Sequence, residues 1–429
     1  MLEVSSSNEL IVNIDQMLPE FCDKASTPSI HRVNDCLRNT NEKAYDPMII
    51  SIGPLHQGKP HLKAMEQHKM RYLKQLLGNS SIFCTYLNTI RNMEQTARDF
   101  YSHEIELDTN QFVKMLLLDG IFIIEFLREY SDVDGGGIKR DGNPIFGFEY
   151  VVSHLLRDLM LFENQIPIFV VEALFQLSNH NNNTEFKDLI WPLTKCSKKD
   201  VASALLPNDA TRPKHLLGLV HSVKCFSFAQ LRSHSNSAKR CEKKNINSAT
   251  DLKEAGIVFK KKAKGEDCSW LDITFENRTL YIPELVISDE MESLFKNMIA
   301  YEFYLPGSSP KYVSDYVYFL HCLVSNSKDA EVLRRYGVIS NWLGGDARVY
   351  EVIVRLGTHA FKSRRFSYEG VFGSINEHCG RKWNKWIAVL RRHHFNNPWT
   401  VLSLFAAVVL LAVSIVQMVF AVLSFYKKT

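Results

Sequence analysis

From Val401 to Leu423 the chain runs for 23 residues without one charged side chain, VLSLFAAVVLLAVSIVQMVFAVL. As a helix rising 1.5 Å per residue, this run is about 34 Å long, enough to cross a hydrocarbon core of roughly 30 Å with some tilt. Trp399 precedes it, and Tyr426, Lys427 and Lys428 follow it, the residue types that settle at a membrane boundary. A buried core helix is the alternative, but core helices seldom stay apolar on every face for so long. The expectation is a single-pass anchor over 399–426 that carries Val401, Gln417 and Leu423 through the membrane lipid bilayer.

The flanks give an orientation. Arg381, Lys382, Lys385, Arg391 and Arg392 come before the run, and only Lys427 and Lys428 come after it. That bias places the large N-terminal part in the cytosol, tail-anchored in the plasma membrane or an endomembrane. The opening residues, MLEVSSSNELIVNIDQMLPEF, have no basic start and no long apolar stretch, so they do not read as a signal peptide. The nine cysteines are scattered, no two closer than 14 residues, which suits reduced thiols better than a disulfide framework or a zinc site. A net charge of +4 is too small to argue for a nucleic-acid partner.

Ahead of the anchor, most segments read as helix. Ile82, Tyr86, Ile90, Met93, Ala97 and Phe100 recur at three- and four-residue steps. Asp108 and Gln111 are spaced as a capping pair for the next helix, FVKMLLLDGIFIIEFLREY, which is apolar on nearly every side. Gly135–Gly137 then mark a loop. A second apolar unit spans Phe148 to Leu177, and Pro167 must break or kink it for want of an N–H. The polar cluster Glu163, Asn164 and Gln165 sits just before that break, placed to satisfy freed backbone groups. Residues 232–248 read as an exposed linker. Leu271, Ile273 and Phe275 alternate with polar residues, and a turn at Glu276–Arg278 leads to Leu280, Tyr281, Ile282 and a closing Pro283. The resulting fold class is mainly α: a large helical globular domain with one small β-hairpin, plus a single C-terminal transmembrane helix. It comprises an N-terminal helical segment (1–29), a first core half (30–231), the linker (232–248), a second core half with the hairpin near 270–283 (249–395), and the anchor.

Trp383 and Trp386, with Arg391 and Arg392 beside them, fit an interfacial helix against anionic headgroups; a helix packed on the globular core is the alternative. Catalytic motifs are scarce. Gly53-Pro-Leu-His-Gln-Gly58-Lys59 imitates a phosphate-binding loop, and Met115–Asp119 imitates the acidic strand that would hold magnesium. The mechanism fails, because Pro60 stands where a Ser or Thr must ligate the metal, and Pro54 deletes a further N–H. No spacing supports a catalytic, cofactor-binding or metal site. The basic runs Lys239–Lys244 and Lys260–Lys264 read as solvated loop faces.

The segments AYDPMIISIGPLHQGKPHLKAMEQHKMRYL, FVKMLLLDGIFIIEFL, RDLMLFENQIPIFVVEALF, ATDLKEAGIVF and LDITFENRTLYIPELVISDEMESLFKNMIAYE occur in this order. They resemble the successive signature blocks of the plant domain-of-unknown-function 247 family, and NPWTVLSLFAAVVLLAVSIVQMVFAVL resembles its terminal span. The likeness runs from about residue 30 to the end; Asn34 departs from the family's tendency to proline near Val33. It implies a plant membrane protein without assigned enzymatic activity, some relatives being linked to self-incompatibility in grasses, and it supplies no catalytic residues. The expected function is therefore non-enzymatic protein–protein recognition or signalling at a membrane. A membrane-tethered enzyme with a pocket near the Glu163–Pro167 break is the rival. Protein partners are expected, together with weak self-association of the C-terminal helix through Ser403, Ala407 and Gln417.

Overall fold

The computed structural model describes residues 28–76, 80–134, 143–179, 184–194, 196, 198–205, 212–233, 245–263, 269–358, 360, 362–380 and 398–426. In chain order its helices are α1 (Asp35–Arg38), α2 (Lys63–Leu76), α3 (Ser80–Arg98), α4 (Thr109–Asp134), α5 (Glu149–Leu159), α6 (Ile168–Ser178), α7 (Phe186–Thr194) and α8 (Lys198–Ala204). They continue as α9 (Leu216–Ser233), α10 (Ala249–Glu254), α11 (Asp289–Tyr304), α12 (Tyr312–Leu323), α13 (Ser327–Arg335), α14 (Asp346–Gly357), α15 (Glu369–Gly380) and α16 (Pro398–Tyr426). The chain divides into two compact units, Met1–Phe226 with Ser293–Pro306, and Ser227–Glu292 with Gly307–Thr429.

The first unit is organised on α4. The Asp108 carboxylate accepts from the Gln111 N–H at 2.9 Å and the Gln111 side chain accepts from the Asp108 N–H at 3.3 Å, so two donors at the helix start are satisfied reciprocally. Phe112, Leu116, Phe122, Phe126 and Leu127 are fully buried; each such side chain stabilises by about 1.5–3 kcal/mol relative to exposure. Helices α2, α3, α6 and α7 pack around α4. Gly120 permits the approach of α6, since a Cβ there would stand 2.4 Å from Leu174 Cδ1. Pro167 breaks the chain as its missing N–H requires: α5 ends at Leu159, and α6 starts at Ile168 with Pro167 as its N-cap.

The second unit holds the β structure, which exceeds the single expected hairpin. Strands β2 (Thr274–Glu276) and β3 (Thr279–Pro283) form that hairpin, and β1 (Val258–Lys262) adds to β3 in parallel, giving the order β1-β3-β2. The run Lys260–Lys262, read as a loop, is thus part of a strand: Phe259 is buried between exposed Val258 and Lys260, an alternation obscured in sequence by the lysines. A second pair joins β4 (Leu285–Ile287) to β5 (Ile339–Asn341) in parallel. The hairpin turn holds Asn277 and Arg278 at φ 47° and 65°, the left-handed pair of a two-residue type I′ loop. Arginine carries a Cβ into that region at a cost of about 1–2 kcal/mol. Arg278→Gly is therefore expected to stabilise the second unit by about 0.5–1 kcal/mol, read as a raised denaturation midpoint; an unchanged or lower midpoint would refute the strain.

The C-terminal run forms α16, 29 residues long, and its described apolar side chains are exposed, Phe405, Leu410 and Phe420 among them. Among the described residues, however, no helix is long and apolar enough to cross a membrane. The expectation of a transmembrane helix is corrected on that finding. Gln417 and Leu423 lie exposed on α16. The side chains of Trp399, Val401 and Tyr426 lie outside the described residues, as do Lys427 and Lys428 entirely. So do Trp383, Trp386, Arg391 and Arg392 of the expected interfacial helix, the Gly135–Gly137 loop, Lys239–Lys244, and all but the last two residues of the 1–29 segment.

Candidate functional site

The segment 48–53 of the first unit is mostly buried yet belongs to no helix or strand. A buried backbone in that state needs partners from elsewhere. Asp158, at the end of α5, accepts from the N–H groups of Met48 (2.9 Å), Ile49 (2.8 Å) and Ile50 (3.1 Å). Asn164 accepts from Ile52 N–H at 2.7 Å and donates to the Ile50 carbonyl at 3.2 Å. Asp119, on α4, accepts from Gly53 N–H at 2.8 Å, and the Lys69 ammonium donates to the Ser51 carbonyl at 2.5 Å. Side chains from three helices and the 160–167 connection thus do for this segment what a neighbouring strand does in a sheet.

Burial raises the pKa of Asp158, against the pull of the three amides and of Arg157. Burial likewise raises Asp119, against Lys69 at 2.6 Å and the Gly53 N–H. The second unit repeats the device. Asp315 accepts from the backbone N–H groups of Ser363 (3.0 Å) and Ser367 (2.7 Å) and from both hydroxyls, and burial pushes it up to about 6. Asp329 accepts from the N–H groups of Thr250, Ser325 and Asn326.

The three residues singled out before Pro167 are all buried. Glu163 accepts from the Val33 N–H at 2.5 Å and from Arg38 at 2.7 Å, with His56 Nε2 at 3.3 Å. Gln165 donates to the carbonyls of Leu159 (2.7 Å) and Leu161 (2.9 Å) and accepts from Leu217 N–H at 3.0 Å. Asn164 also donates to the Asp158 carbonyl at 2.9 Å. The side chains therefore hold the 160–167 connection and tie it to residues 33, 50, 52 and 217.

Burial opposes the Glu163 charge, but His56, the Val33 N–H and Arg38 outweigh it and bring the pKa from 4.5 down to about 2. A depressed acid stabilises above its unfolded pKa and loses that contribution as pH falls through the folded one. The advantage of wild type over Glu163→Gln is expected to be about 3 kcal/mol at neutral pH and to shrink from pH 4.5 towards 2. Urea titrations of both proteins across that range would read it; a constant gap would disprove it.

Two histidines that the sequence did not single out lie deep in the first unit. Burial lowers His215 to about 3; its Nδ1 accepts from Gly218 N–H at 3.1 Å. His221 Nε2 lies 2.8 Å from Glu302 Oε1 and 3.8 Å from Cys225 Sγ. Burial opposes its charge, yet Cys225 and Glu302 push it up to about 10. Because one ring nitrogen faces both neighbours, the imidazole does not bridge thiol and carboxylate through its two nitrogens as a nucleophile–base–acid relay does. No group of three or more His, Cys, Asp or Glu that could hold a metal occurs among the described residues.

A cleft of about 710 Å³ opens beside this framework, within the range of ligand pockets. Lys69 and Asp119 line it with the 53–58 turn, α4 residues 114–118 and residues 104–107. Lys69 is buried and satisfied by Asp119, by Glu66 at 2.6 Å and by the Ser51 carbonyl. The phosphate-loop lookalike is therefore a cleft wall whose first glycine N–H is already bonded to Asp119, a residue of helix α4 and of no strand. Arg32, Lys114, Glu104 and Glu106 also line the cleft. One sequence signal points here: Asp119 is the lone acid within the apolar run MLLLDGIFII, and a charge there needs a buried partner.

A model of a plant protein family of unknown function, DUF247, matches residues 30–413. Two proteins of Arabidopsis thaliana that carry the UPF0481 name are similar over nearly their full lengths. One is 28% identical over 443 aligned residues, 98% of this chain and 90% of the relative. The other is 22% identical over 503, 95% of this chain and 92% of the relative. No solved structure matches.

Proposed function

The chain belongs to the DUF247 family of plant proteins of unknown function, and from that premise we propose that it is a non-enzymatic recognition module whose partner engages the cleft of the first unit. One observation carries this reading. The buried carboxylates with displaced pKa values, Asp119, Asp158, Glu163 and Asp315, each accept from the chain's own backbone N–H groups. Displaced titration marks either catalytic groups or structural networks, and groups committed in this way act as the scaffold of a binding surface. The rival enzyme at the Glu163–Pro167 break has less support, because among the described residues the Asn164 and Gln165 side chains bond inward to the chain's own backbone.

The reading is tested by proximity labelling in plant tissue with the full-length protein and a Lys114→Glu variant. Lys114 is an exposed cleft residue, so its reversal leaves the fold intact, as circular dichroism would verify. The proteins labelled by wild type are expected to fall at least tenfold with the variant. Equal labelling by both would overturn the reading.

A further inference from the structure

The geometry points to an extended peptide segment as the cleft's occupant, added as a strand along residues 104–107, with basic side chains at alternate positions. Residues 100–102 are already paired: Ile30 and Tyr101 form a parallel bridge, and Ser102 N–H donates to the Ile30 carbonyl at 3.0 Å. After bends at Ser102 and His103, residues 104–107 take up a two-residue period. Arg98 reaches two carbonyls two residues apart, Nη1 to Ile105 at 3.1 Å and Nη2 to Leu107 at 2.7 Å. Residues 104–107 belong to no helix or turn, and in an extended backbone the carbonyls of residues i and i+2 face one side. Exposure alternates in the same way, with Glu104 and Glu106 exposed and Ile105 and Leu107 half-buried.

Arg98 occupies the edge formed by residues 105 and 107, so the N–H and carbonyl groups of Glu104 and Glu106 face the opposite edge. Among the described residues no hydrogen bond reaches them. An unpaired edge beside a cleft is the template for strand addition, where backbone bonds give affinity and alternate side chains give specificity. The carboxylates of Glu104 and Glu106 share one face and have no cationic partner among the described residues. They call for lysine or arginine at alternate positions of the added segment. Arg32 and Lys114 line the same cleft and call for an acidic side chain where the segment passes them, so the segment is not basic throughout. Apolar residues between the basic ones would meet Ile105 and Leu107.

This inference rests on the recognition reading but has its own test. The probe is a capped hexapeptide, acetyl-(Lys-Val)3-amide, titrated against the full-length protein by fluorescence anisotropy of an attached dye. Saturable binding is expected. A peptide N-methylated at alternate residues, on the bonding edge, is expected to bind at least tenfold more weakly. The double variant Glu104→Lys, Glu106→Lys is expected to reverse the preference towards acetyl-(Asp-Val)3-amide, with an unchanged thermal transition. Absence of saturable binding, equal binding of the N-methylated peptide, or an unreversed charge preference would each overturn the inference. Lys114-dependent labelling in tissue would survive such a failure, so the recognition reading and the strand-addition mode are distinguishable.

Discussion

Replacing Gly53 by alanine is expected to destabilise the first unit by about 4–5 kcal/mol, far more than the same change at Gly58. Both glycines sit in one turn with positive φ, 76° and 83°, where a Cβ costs about 1–2 kcal/mol. They differ in surroundings. A Cβ on Gly53 would stand 2.4 Å from the Gln165 carbonyl oxygen, whereas Gly58 has nothing within 4 Å. That carbonyl cannot swing aside, because it accepts from the Tyr101 hydroxyl at 3.0 Å while the Gln165 side chain is fixed at both ends. Displacing Gly53 instead would break its N–H bond to Asp119. Chemical denaturation of the two variants separates the effects. Gly58→Ala is expected to lose only about 1–2 kcal/mol, and equal losses would disprove the close approach.

Lys69→Met is expected to cost about 3–5 kcal/mol, because it strands a buried carboxylate. Asp119 is almost fully buried and has two polar neighbours, the Lys69 ammonium and the Gly53 N–H. Burial opposes the Lys69 charge, but Asp119 and Glu66 raise its pKa nonetheless, so the lysine stays protonated when folded. Asp119→Asn removes the opposing charge and keeps an acceptor for Gly53. The double variant Lys69→Met, Asp119→Asn should therefore cost less than the sum of the single changes, by about 1.5–3 kcal/mol. Additivity within about 0.5 kcal/mol in urea titrations would show that the two groups are not coupled.

Long periodic elements are legible in the sequence alone. The apolar run after Asp108, the break at Pro167 and the turn at Asn277–Arg278 follow from local rules that need no distant partner. The two-residue alternation also located β2 and β3. It missed β1, whose lysines mask the period, and β4 and β5, which are three residues each. The cleft was invisible for a different reason. Lys69 and Asp119 are 50 positions apart, and Gly53 and Asp119 are 66 apart; only the tertiary fold brings them together. The membrane expectation follows from length and hydropathy of the uncharged run, and among the described residues no helix is long and apolar enough to cross a membrane.

The bonds between residues 48–50 and Asp158 span 108 to 110 positions. During synthesis these amides leave the ribosome well before their acceptor exists. At about 5–20 residues per second the interval is roughly 5–20 s. Throughout that interval Ile49, Ile50 and Ile52 have no native shelter, and the nascent chain presents them to chaperones or to its neighbours. Translation speed between these two segments should accordingly govern how much of this protein a cell recovers in folded form.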